Sequence, residues 1–303
     1  MPDSLNQDTR KVLLDSIAKL SKPIPGLETR QSAQTDELPS VHALSELMTL
    51  IRNVIFPGFF SDCQFCRILP QNSIGVNTER IFSILHDEIY KAVNLMLHPV
   101  HPATHALLKA RSFVEKLPQI RDILMTDVDA MFTNDPAATG RPEVVFCYPA
   151  VTAMLHYRVA NALLTDDVPL LPRIIAEMAH SATGIDIHPG ATIGSHFSID
   201  HGTGVVIGET CIIGHHVSIY QGVTLGAKNF TLDSNGHPMN IPRHPIIQDN
   251  VTIYSNATIL GRVTIGHGSI IGGNVWLTHS LPPNSRLLQR RPYETTFTDG
   301  AGI

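Results

Sequence analysis

The chain has 303 residues, a formal net charge of -5 and 16% charged residues, with no block of like charges. Its length exceeds the usual range of roughly 50–200 residues for one domain, which predicts two domains that each bury a core. The charge pattern excludes nucleic acid as the main partner, because binding phosphates requires clusters of Lys and Arg that this sequence does not provide.

Location and redox state follow from the same sequence. No stretch of about 18 uncharged apolar residues is present, and Met1-Pro2-Asp3 begins a polar segment without the pattern of an export signal. Four cysteines in a chain of this size favour reduced thiols. We therefore expect a cytoplasmic protein. Cys63 and Cys66 form an isolated C-x-x-C pair, which we interpret as structural because no zinc-ligand or redox context accompanies it.

Before about residue 183, apolar residues recur at helical spacing, and Pro and Gly separate the segments. The clearest apolar faces run through Leu13, Ile17 and Leu20, through Val41, Leu44, Leu47, Met48 and Ile51, and through Ile81, Leu85, Ile89, Val93 and Leu97. Further helices are predicted at about 103–115, 118–131, 148–164 and 168–181. The sequence thus predicts an all-helical domain over residues 1–183.

From residue 187 to residue 277, an aliphatic residue returns at every sixth position, apart from two interruptions. The anchors are Ile187, Ile193, Ile199, Ile207, Ile213, Ile219, Leu225, Ile247, Ile253, Ile259, Ile265, Ile271 and Leu277. A helix repeats every 3.6 residues and a strand every two, so a period of six indicates a short flat run, a turn and a repeat. Three runs close a triangular coil, and stacked coils form a parallel β-helix around the anchors. The predicted fold class is α+β, with a left-handed β-helix over residues 184–282 and a tail over residues 283–303.

The two interruptions are predicted to carry the functional residues. The first lies between Ile199 and Ile207, contains two extra residues and includes Asp200-His201-Gly202-Thr203-Gly204. The second, residues 226–246, is far longer than a coil corner and contains three prolines, so it must leave the solenoid as a loop. Loops that leave repeat scaffolds commonly carry binding residues.

His201 is the candidate catalytic base. A histidine can take up a proton near neutral pH, and a nearby carboxylate fixes its tautomer and stabilises the imidazolium. Asp186 lies 15 positions earlier in the sequence. Because a coil spans about 18 residues, the two are expected on adjacent coils at neighbouring places on the perimeter. Five other histidines at ordinary turn positions are interpreted as surface residues: His188, His196, His215, His216 and His267.

Several motifs closely resemble those of serine O-acetyltransferase, which catalyses the first step of cysteine biosynthesis from serine. They are Gly184-Ile-Asp-Ile-His-Pro-Gly190, Ile199-Asp-His-Gly-Thr-Gly204, Ile207-Gly-Glu-Thr210 and Arg243-His-Pro245, with Asn134-Asp135-Pro136-Ala137 and Tyr157-Arg158 upstream. A hexapeptide repeat alone indicates only a broad acyltransferase superfamily. The combination of the D-H-x-T-G and R-H-P motifs is typical of the serine branch.

The resemblance implies acetyl transfer from acetyl-CoA to the hydroxyl of L-serine. His201 would then take the hydroxyl proton as the oxygen attacks the thioester, with Asp186 as its orienting partner. Asp135 and Asp200 are implied to contact the ammonium of serine. In the same way, Arg243 and His244 are implied to meet its carboxylate, for which a guanidinium supplies paired donors.

Coenzyme A is implied to lie in the groove between neighbouring β-helices. By the resemblance it would contact Ala227, Ser255 and Gly273, with Lys228 near a phosphate. Members of the superfamily form trimers, and in the resembling family the helical domain joins two trimers. A homotrimer or hexamer is therefore implied, with the catalytic site between adjacent subunits and with no metal.

Two regulatory features follow from the same resemblance. The C-terminal Asp299-Gly-Ala-Gly-Ile303 resembles the family's tail, which enters the active site of O-acetylserine sulfhydrylase. Ile303 is therefore predicted to bind that partner through its carboxylate and apolar side chain. L-cysteine differs from serine by one atom and is expected as a feedback inhibitor.

Other functions are compatible with the same solenoid. A hexapeptide acetyltransferase that acts on another hydroxyl or amine substrate would also use a single histidine as its base. A γ-type carbonic anhydrase uses three histidines on zinc, for which His196 and His201 are two candidates without a clear third. A noncatalytic scaffold is the remaining alternative, and it leaves the polar constellation at the two interruptions without a role.

Overall fold

The structure is a computed structural model that describes residues 2–22, 38–60, 70–229 and 231–289. The chain divides into two compact units, residues 1–38 and 39–303. In the first unit the described helix is α1, Pro2–Leu20, whose residues Leu13, Ile17 and Leu20 are exposed. No described helix is long and apolar enough to cross a membrane.

Six helices precede the strands in the described part of the second unit, which confirms the predicted helical character of this region and adds one helix, α5 (Arg141–Cys147), that was not predicted. They are α2 (Val41–Ile55), α3 (Pro70–Met96), α4 (Pro102–Asn134), α5 (Arg141–Cys147), α6 (Pro149–Thr165) and α7 (Leu171–Thr183). Helix α2 packs on α3 and α3 on α4, while α6 packs on both α4 and α7. Their facing apolar residues, such as Leu47, Leu85 and Leu124, are fully buried.

Helix α4 continues through Pro118, so the prediction of separate helices at 103–115 and 118–131 was wrong. A proline inside a helix removes one N–H donor and crowds the preceding turn. Here Phe113 and Leu117 are buried before the proline and Ile120 after it. Burial on both sides stabilises the helical path, and this tertiary packing outweighs the local preference of one residue.

Fourteen short strands follow within the described ranges, and all their strand pairings are parallel. They are β1 (Asp186–Ile187), β2 (Thr192–Ile193), β3 (Ser198–Asp200), β4 (Val206–Ile207), β5 (Ile212–Ile213), β6 (Ser218–Tyr220), β7 (Thr224–Gly226), β8 (Ile246–Ile247), β9 (Thr252–Ile253), β10 (Thr258–Leu260), β11 (Thr264–Ile265), β12 (Ile270–Ile271), β13 (Trp276–Leu277) and β14 (Arg286–Leu287). Sheet A has the order β1-β4-β7-β10-β13, sheet B the order β2-β5-β8-β11 and sheet C the order β3-β6-β9-β12-β14. These three sheets are the faces of the predicted left-handed β-helix.

The hexapeptide anchors form the interior of the solenoid. Ile199 lies opposite Ile219, and Ile219 lies opposite Ile253 on the next coil, all with at most 1% exposure. The pairing continues to β14, where Arg286 lies opposite Ile270. Identical apolar side chains thus stack coil upon coil, which is the burial that stabilises a solenoid.

The predicted loop leaves the sheets between Gly226, the last residue of β7, and Ile246, the first of β8. Within the loop, Leu232 and Pro238 form an isolated antiparallel β-bridge. The Asp233 carboxylate accepts hydrogen bonds from two backbone N–H groups at the tip. Carboxylates commonly stabilise turns in this way.

A buried ion pair joins the helices to the solenoid. The Arg158 guanidinium on α6 donates to the Asp127 carboxylate on α4 and to the carbonyls of Ile193 and Gly194. The same carboxylate accepts the N–H of Phe197 at 3.0 Å. These bonds fix α4 against the segment between β2 and β3, so the C-terminal end of α4 lies beside sheet C.

Candidate active site

A strained turn presents His201 at the corner between sheet C and sheet A. Asp200 ends β3, and His201 and Gly202 follow with φ angles of 57° and 88°. A Cβ on Gly202 would lie 2.5 Å from Cδ1 of Ile185, so the turn requires glycine there. The His201 side chain is 71% exposed, and its Nδ1 lies 3.8 Å from Oδ1 of Asp200.

Asp135, which follows the last residue of α4, lies at the same corner. Its Oδ1 accepts the N–H of Ala137 at 2.8 Å, and its Oδ2 accepts a hydrogen bond from the Tyr148 hydroxyl. The bond from Tyr148, then the one from Ala137, lowers the pKa of Asp135, and the nearby His201 acts in the same direction. The bond to Asp135 also raises the pKa of Tyr148 to about 12. Asp135 is therefore anionic and Tyr148 a neutral donor at neutral pH.

Asp135 and Asp200 line one cleft. Its wall between α4 and sheet C is a hydrogen-bonded set in which the Asn134 amide donates to the hydroxyls of Ser198 and Ser218, each at 2.9 Å. The remaining lining is Met131, Tyr148, Ile199, Ile219 and Tyr220. Two carboxylates converging on such a cleft suit a small cation such as an ammonium group.

Arg243 and His244 lie at the other end of sheet A, where the loop returns to β8. The Nδ1 of His244 accepts the N–H of Thr210 at 3.1 Å, so the hydrogen of the neutral ring is on Nε2. The ring covers Gly208, where a Cβ would lie 2.0 Å from its Cδ2. Burial, and then the Arg243 charge, lowers the pKa of His244 to about 4. The ring is therefore a neutral hydrogen-bond donor.

The Arg243 side chain already has a carboxylate partner. Its Nη2 donates to Oε2 of Glu209 at 2.7 Å, with both side chains partly buried. Arg262 supports the same corner by donating to the carbonyls of Thr210 and His244. Glu209 belongs to the Gly-Glu-Thr motif, but neither it nor Arg262 was assigned a role from the sequence.

Asp186 begins β1 beneath the His201 turn. The turn rests on this segment, because the N–H of Gly204 donates to the Gly184 carbonyl and the Asp186 N–H to the Val205 carbonyl. Among the described residues, no hydrogen bond or ion pair joins the side chains of Asp186 and His201. The carboxylate within ion-pair distance of His201 is that of Asp200.

The predicted coenzyme A residues also fall at the two corners that flank sheet A. Gly273 stacks on Ser255 at the corner between sheets C and A, and a Cβ on Gly273 would lie 3.0 Å from the Ser255 carbonyl oxygen. Ala227 and Lys228 follow β7 at the opposite corner, where Lys228 approaches Gly261. The predicted site residues of the chain thus form two separate clusters, or half-sites, one with His201 and one with the R-H-P motif.

Three residues with predicted or open roles, Cys63, Cys66 and Ile303, lie outside the described residues. Within the described ranges, no group of three or more His, Cys, Asp or Glu side chains is placed to hold a metal ion. His188, interpreted from the sequence as a surface residue, is partly buried, and burial lowers its pKa.

Comparison with known proteins identifies the family. The model for the bacterial transferase hexapeptide (six repeats) family matches residues 244–279. The plasmid serine acetyltransferase of Synechococcus elongatus is 44% identical over 281 residues, which cover 90% of this chain and 88% of that protein. The chain belongs to the serine acetyltransferase family. Acetyl-CoA is the co-substrate of the serine acetyltransferase reaction. The prediction from the sequence motifs that the chain is an acyltransferase is confirmed.

Solved serine acetyltransferases share the fold. The crystal structure of serine acetyltransferase isoform 3 in complex with cysteine from Entamoeba histolytica has a TM-score of 0.71 and 32% identity, covering 97% of this chain and 96% of that chain. The serine acetyltransferase in complex with coenzyme A from Brucella abortus has a TM-score of 0.55 and 25% identity, covering 81% and 93%. The helical domain and the β-helix are therefore both features of serine acetyltransferases.

Proposed function

We propose that this chain catalyses its family's reaction with His201 as the base, giving O-acetylserine and free coenzyme A in the first step of cysteine biosynthesis. One observation carries the proposal: a glycine-dependent turn presents an exposed imidazole beside a cleft lined by Asp135 and Asp200. The imidazole takes the hydroxyl proton while the oxygen attacks the thioester carbon. The C–S bond then breaks, and the proton passes to the departing thiolate.

The two carboxylates of the cleft account for binding of the serine ammonium. Asp135 remains ionised because Tyr148 and a backbone N–H donate to it. The substrate carboxylate meets Arg243 and the Nε2–H of His244. A neutral imidazole is a suitable donor here, because it stabilises the carboxylate without requiring a buried cation.

The position of the two half-sites supports a site shared between subunits. His201 and the R-H-P motif lie at opposite corners of sheet A within one copy. In a threefold arrangement of prisms, one corner of each copy approaches a different corner of its neighbour. Coenzyme A then occupies the groove between them, against Ser255 and Gly273 of one copy and Ala227 and Lys228 of the next.

Asp186 is proposed to orient His201. The support is the pair of backbone hydrogen bonds that place the His201 turn directly on the 184–186 segment. A rotation of the exposed imidazole away from Asp200 and toward β1 would bring the two side chains together. Asp200 is then released to bind the substrate ammonium.

The remaining parts of the proposal rest on the sequence and on relatives. Feedback inhibition by L-cysteine is supported by the cysteine complex of the Entamoeba histolytica enzyme. Three further features are proposed on the resemblance and composition. The β-helices form a trimer, or a hexamer in which the helical domain at residues 1–183 joins two trimers. The chain binds O-acetylserine sulfhydrylase through Ile303, and it is located in the cytoplasm.

The decisive experiment is a thiol-release assay with acetyl-CoA and a panel of hydroxy amino acids. Serine should support release, and His201→Ala should lower kcat/KM by roughly 10²- to 10⁴-fold, the usual contribution of a general base. His267→Ala, an exposed histidine on a different corner, is the matched control and should be unchanged. Absence of serine-dependent release would reject the function, and faster release with another hydroxy amino acid would favour the alternative acceptor.

A further inference from the structure

A cavity in the helical part of the second unit has no role in the proposed reaction. It lies between α2, α5, α6 and α7, is partly open to solvent and has a volume of about 150 Å³. An apolar cavity of about 150 Å³ is large enough to bind benzene, and ligand pockets combine apolar walls with a few polar groups. None of the residues predicted to bind serine or acetyl-CoA lines this cavity.

Aromatic rings form one wall of the cavity. The ring centroids of Phe60 and Phe146 are 5.1 Å apart in an edge-to-face arrangement, and those of Phe56 and Phe60 are 6.1 Å apart. Phe146 is 56% exposed, so its apolar ring is not covered by the rest of the described chain. Such a wall favours a further aromatic ring that packs edge-to-face or offset.

Arg52 supplies the charge. Its Nε is buried and has no hydrogen-bond partner among the described residues, and its guanidinium lies 4.3 Å from the centre of the Phe60 ring. An N–H group buried without a partner is costly. The described residues provide no carboxylate in ion-pair contact with Arg52. A planar guanidinium in this state is a ready partner for the two oxygens of a carboxylate.

The other polar groups of the cavity do not neutralise Arg52. They are Ser45, Thr49, Thr152 and His156, and none of the described residues that line the space is acidic. The Nδ1 of His156 lies 2.8 Å from the Thr152 carbonyl, and burial lowers the pKa of this histidine. The imidazole is therefore neutral at neutral pH, and Arg52 carries the net charge of the described lining residues.

We propose that this cavity binds a small carboxylate with an aromatic body, its carboxylate on Arg52 and its ring against Phe60 and Phe146. We also propose that occupancy changes serine binding. Helices α5 and α6 line the cavity and meet at Tyr148, which donates to Asp135 in the serine cleft. This second part rests on the proposed function, whereas ligand binding does not.

Binding is tested on the full chain by ligand-observed NMR titration with benzoate, and with benzyl alcohol as the uncharged analogue. A hydrogen bond between charged groups contributes enough to predict at least about tenfold weaker binding of benzyl alcohol than of benzoate to the parent chain. Benzoate should also bind at least about tenfold more weakly to Arg52→Gln than to the parent. Arg111→Gln removes an exposed guanidinium of the same domain that pairs with Glu115, and should leave the affinity unchanged. Phe146→Ala, at an exposed position, should also weaken benzoate binding.

Two results would overturn the ligand site. One is no benzoate binding at about 10 mM, which is weaker than ordinary specific recognition. The other is equal affinity for benzoate and benzyl alcohol, or for the parent and a folded Arg52→Gln variant. If Arg52→Gln does not fold, the comparison of the two probes and the Phe146→Ala variant still decide the matter.

Coupling is tested by measuring the KM for serine with and without saturating benzoate. Allosteric coupling of ordinary strength predicts a change of about fivefold in the parent and in Arg111→Gln, and none in Arg52→Gln. An unchanged KM while NMR shows benzoate bound would overturn the coupling and keep the ligand site. Absence of any serine-dependent activity would instead contradict the proposed function, and the NMR result would stand separately.

Discussion

The Tyr148 hydroxyl donates a hydrogen bond to the Asp135 carboxylate and thereby keeps this carboxylate, which is proposed to bind the serine ammonium, in its ionised form. Tyr148→Phe removes this bond and keeps the ring. The pKa of Asp135 then rises toward its ordinary value, and its carboxylate loses its fixed orientation. The KM for serine should rise by at least about tenfold, as for loss of one hydrogen bond to a charged group, with a smaller change in kcat.

A matched tyrosine controls for the loss of any hydroxyl. Tyr254 stacks on Tyr220 with centroids 5.0 Å apart, and it is 42% exposed outside the serine cleft. Tyr254→Phe should leave the KM for serine unchanged. Equal effects of the two substitutions in steady-state kinetics would show that the Tyr148–Asp135 bond does not position the substrate.

The close approach of Gly208 to His244 leads to a second prediction. A methyl group at residue 208 would overlap the imidazole, because its carbon would lie 2.0 Å from Cδ2 and 2.2 Å from Nε2. Gly208→Ala should therefore displace the ring and lower kcat/KM for serine by at least about tenfold, since an error of about 1 Å in a binding group is already costly.

The same substitution at Gly75 provides the control. Gly75 lies inside helix α3, and a Cβ there would meet nothing within 4 Å. Gly75→Ala should leave the kinetics unchanged and stabilise the protein by up to about 1 kcal/mol, because alanine favours helix. Wild-type kinetics in Gly208→Ala would mean that His244 does not need its observed position.

The hexapeptide period predicts the solenoid well for a physical reason. Every coil repeats the same inward contact. The place of Ile219 in the period therefore predicts both that its side chain is buried and that it pairs with Ile199 and Ile253. The polar residues at the interruptions are equally visible, since His201 and Arg243 stand where the period fails. Both features are local in sequence.

The helical half of the site is not visible in this way. Tyr148 lies between α5 and α6, at the start of the helix predicted at 148–164 and outside the recognised motifs, and it reaches Asp135 through the packing of α4, α5 and α6. Pro118 shows the opposite failure, because a strong local rule is overridden by burial on both sides of it. Sequence reasoning therefore finds repeated contacts and misses those made once by tertiary packing.

The lowered pKa of His244 predicts a pH-dependent loss of stability. Its folded value, about 4, lies below the ordinary value of 6.5, so the folded state binds fewer protons between these two values. The stabilisation is complete above about pH 6.5 and decreases as the pH falls toward 4, by at most about 3 kcal/mol per chain. His244→Gln keeps an acceptor without a titrating ring.

Thermal unfolding monitored from pH 7.5 to 4.5 tests this prediction. The Tm of the parent should fall more steeply below pH 6.5 than that of His244→Gln, whose acceptor stays unprotonated. His267→Gln, at an exposed position, should follow the parent. Parallel curves for the parent and His244→Gln would show that this ring is not held neutral by burial.

Substitution of the two carboxylates near His201 separates their roles. Asp200 lies within ion-pair distance of the imidazole. Asp186 lies beneath the turn, and among the described residues its carboxylate makes no hydrogen bond or ion pair with the imidazole. An orienting carboxylate acts on the base as charge develops, whereas a carboxylate that binds ammonium acts on the bound substrate. Asp186→Asn should therefore lower kcat by roughly 10- to 100-fold with little change in the KM for serine, and Asp200→Asn should chiefly raise that KM.

Steady-state kinetics with serine varied at saturating acetyl-CoA distinguishes the two. A large loss of kcat in Asp200→Asn together with near-normal turnover in Asp186→Asn would assign the orienting role to Asp200, the contact that the folded chain already makes.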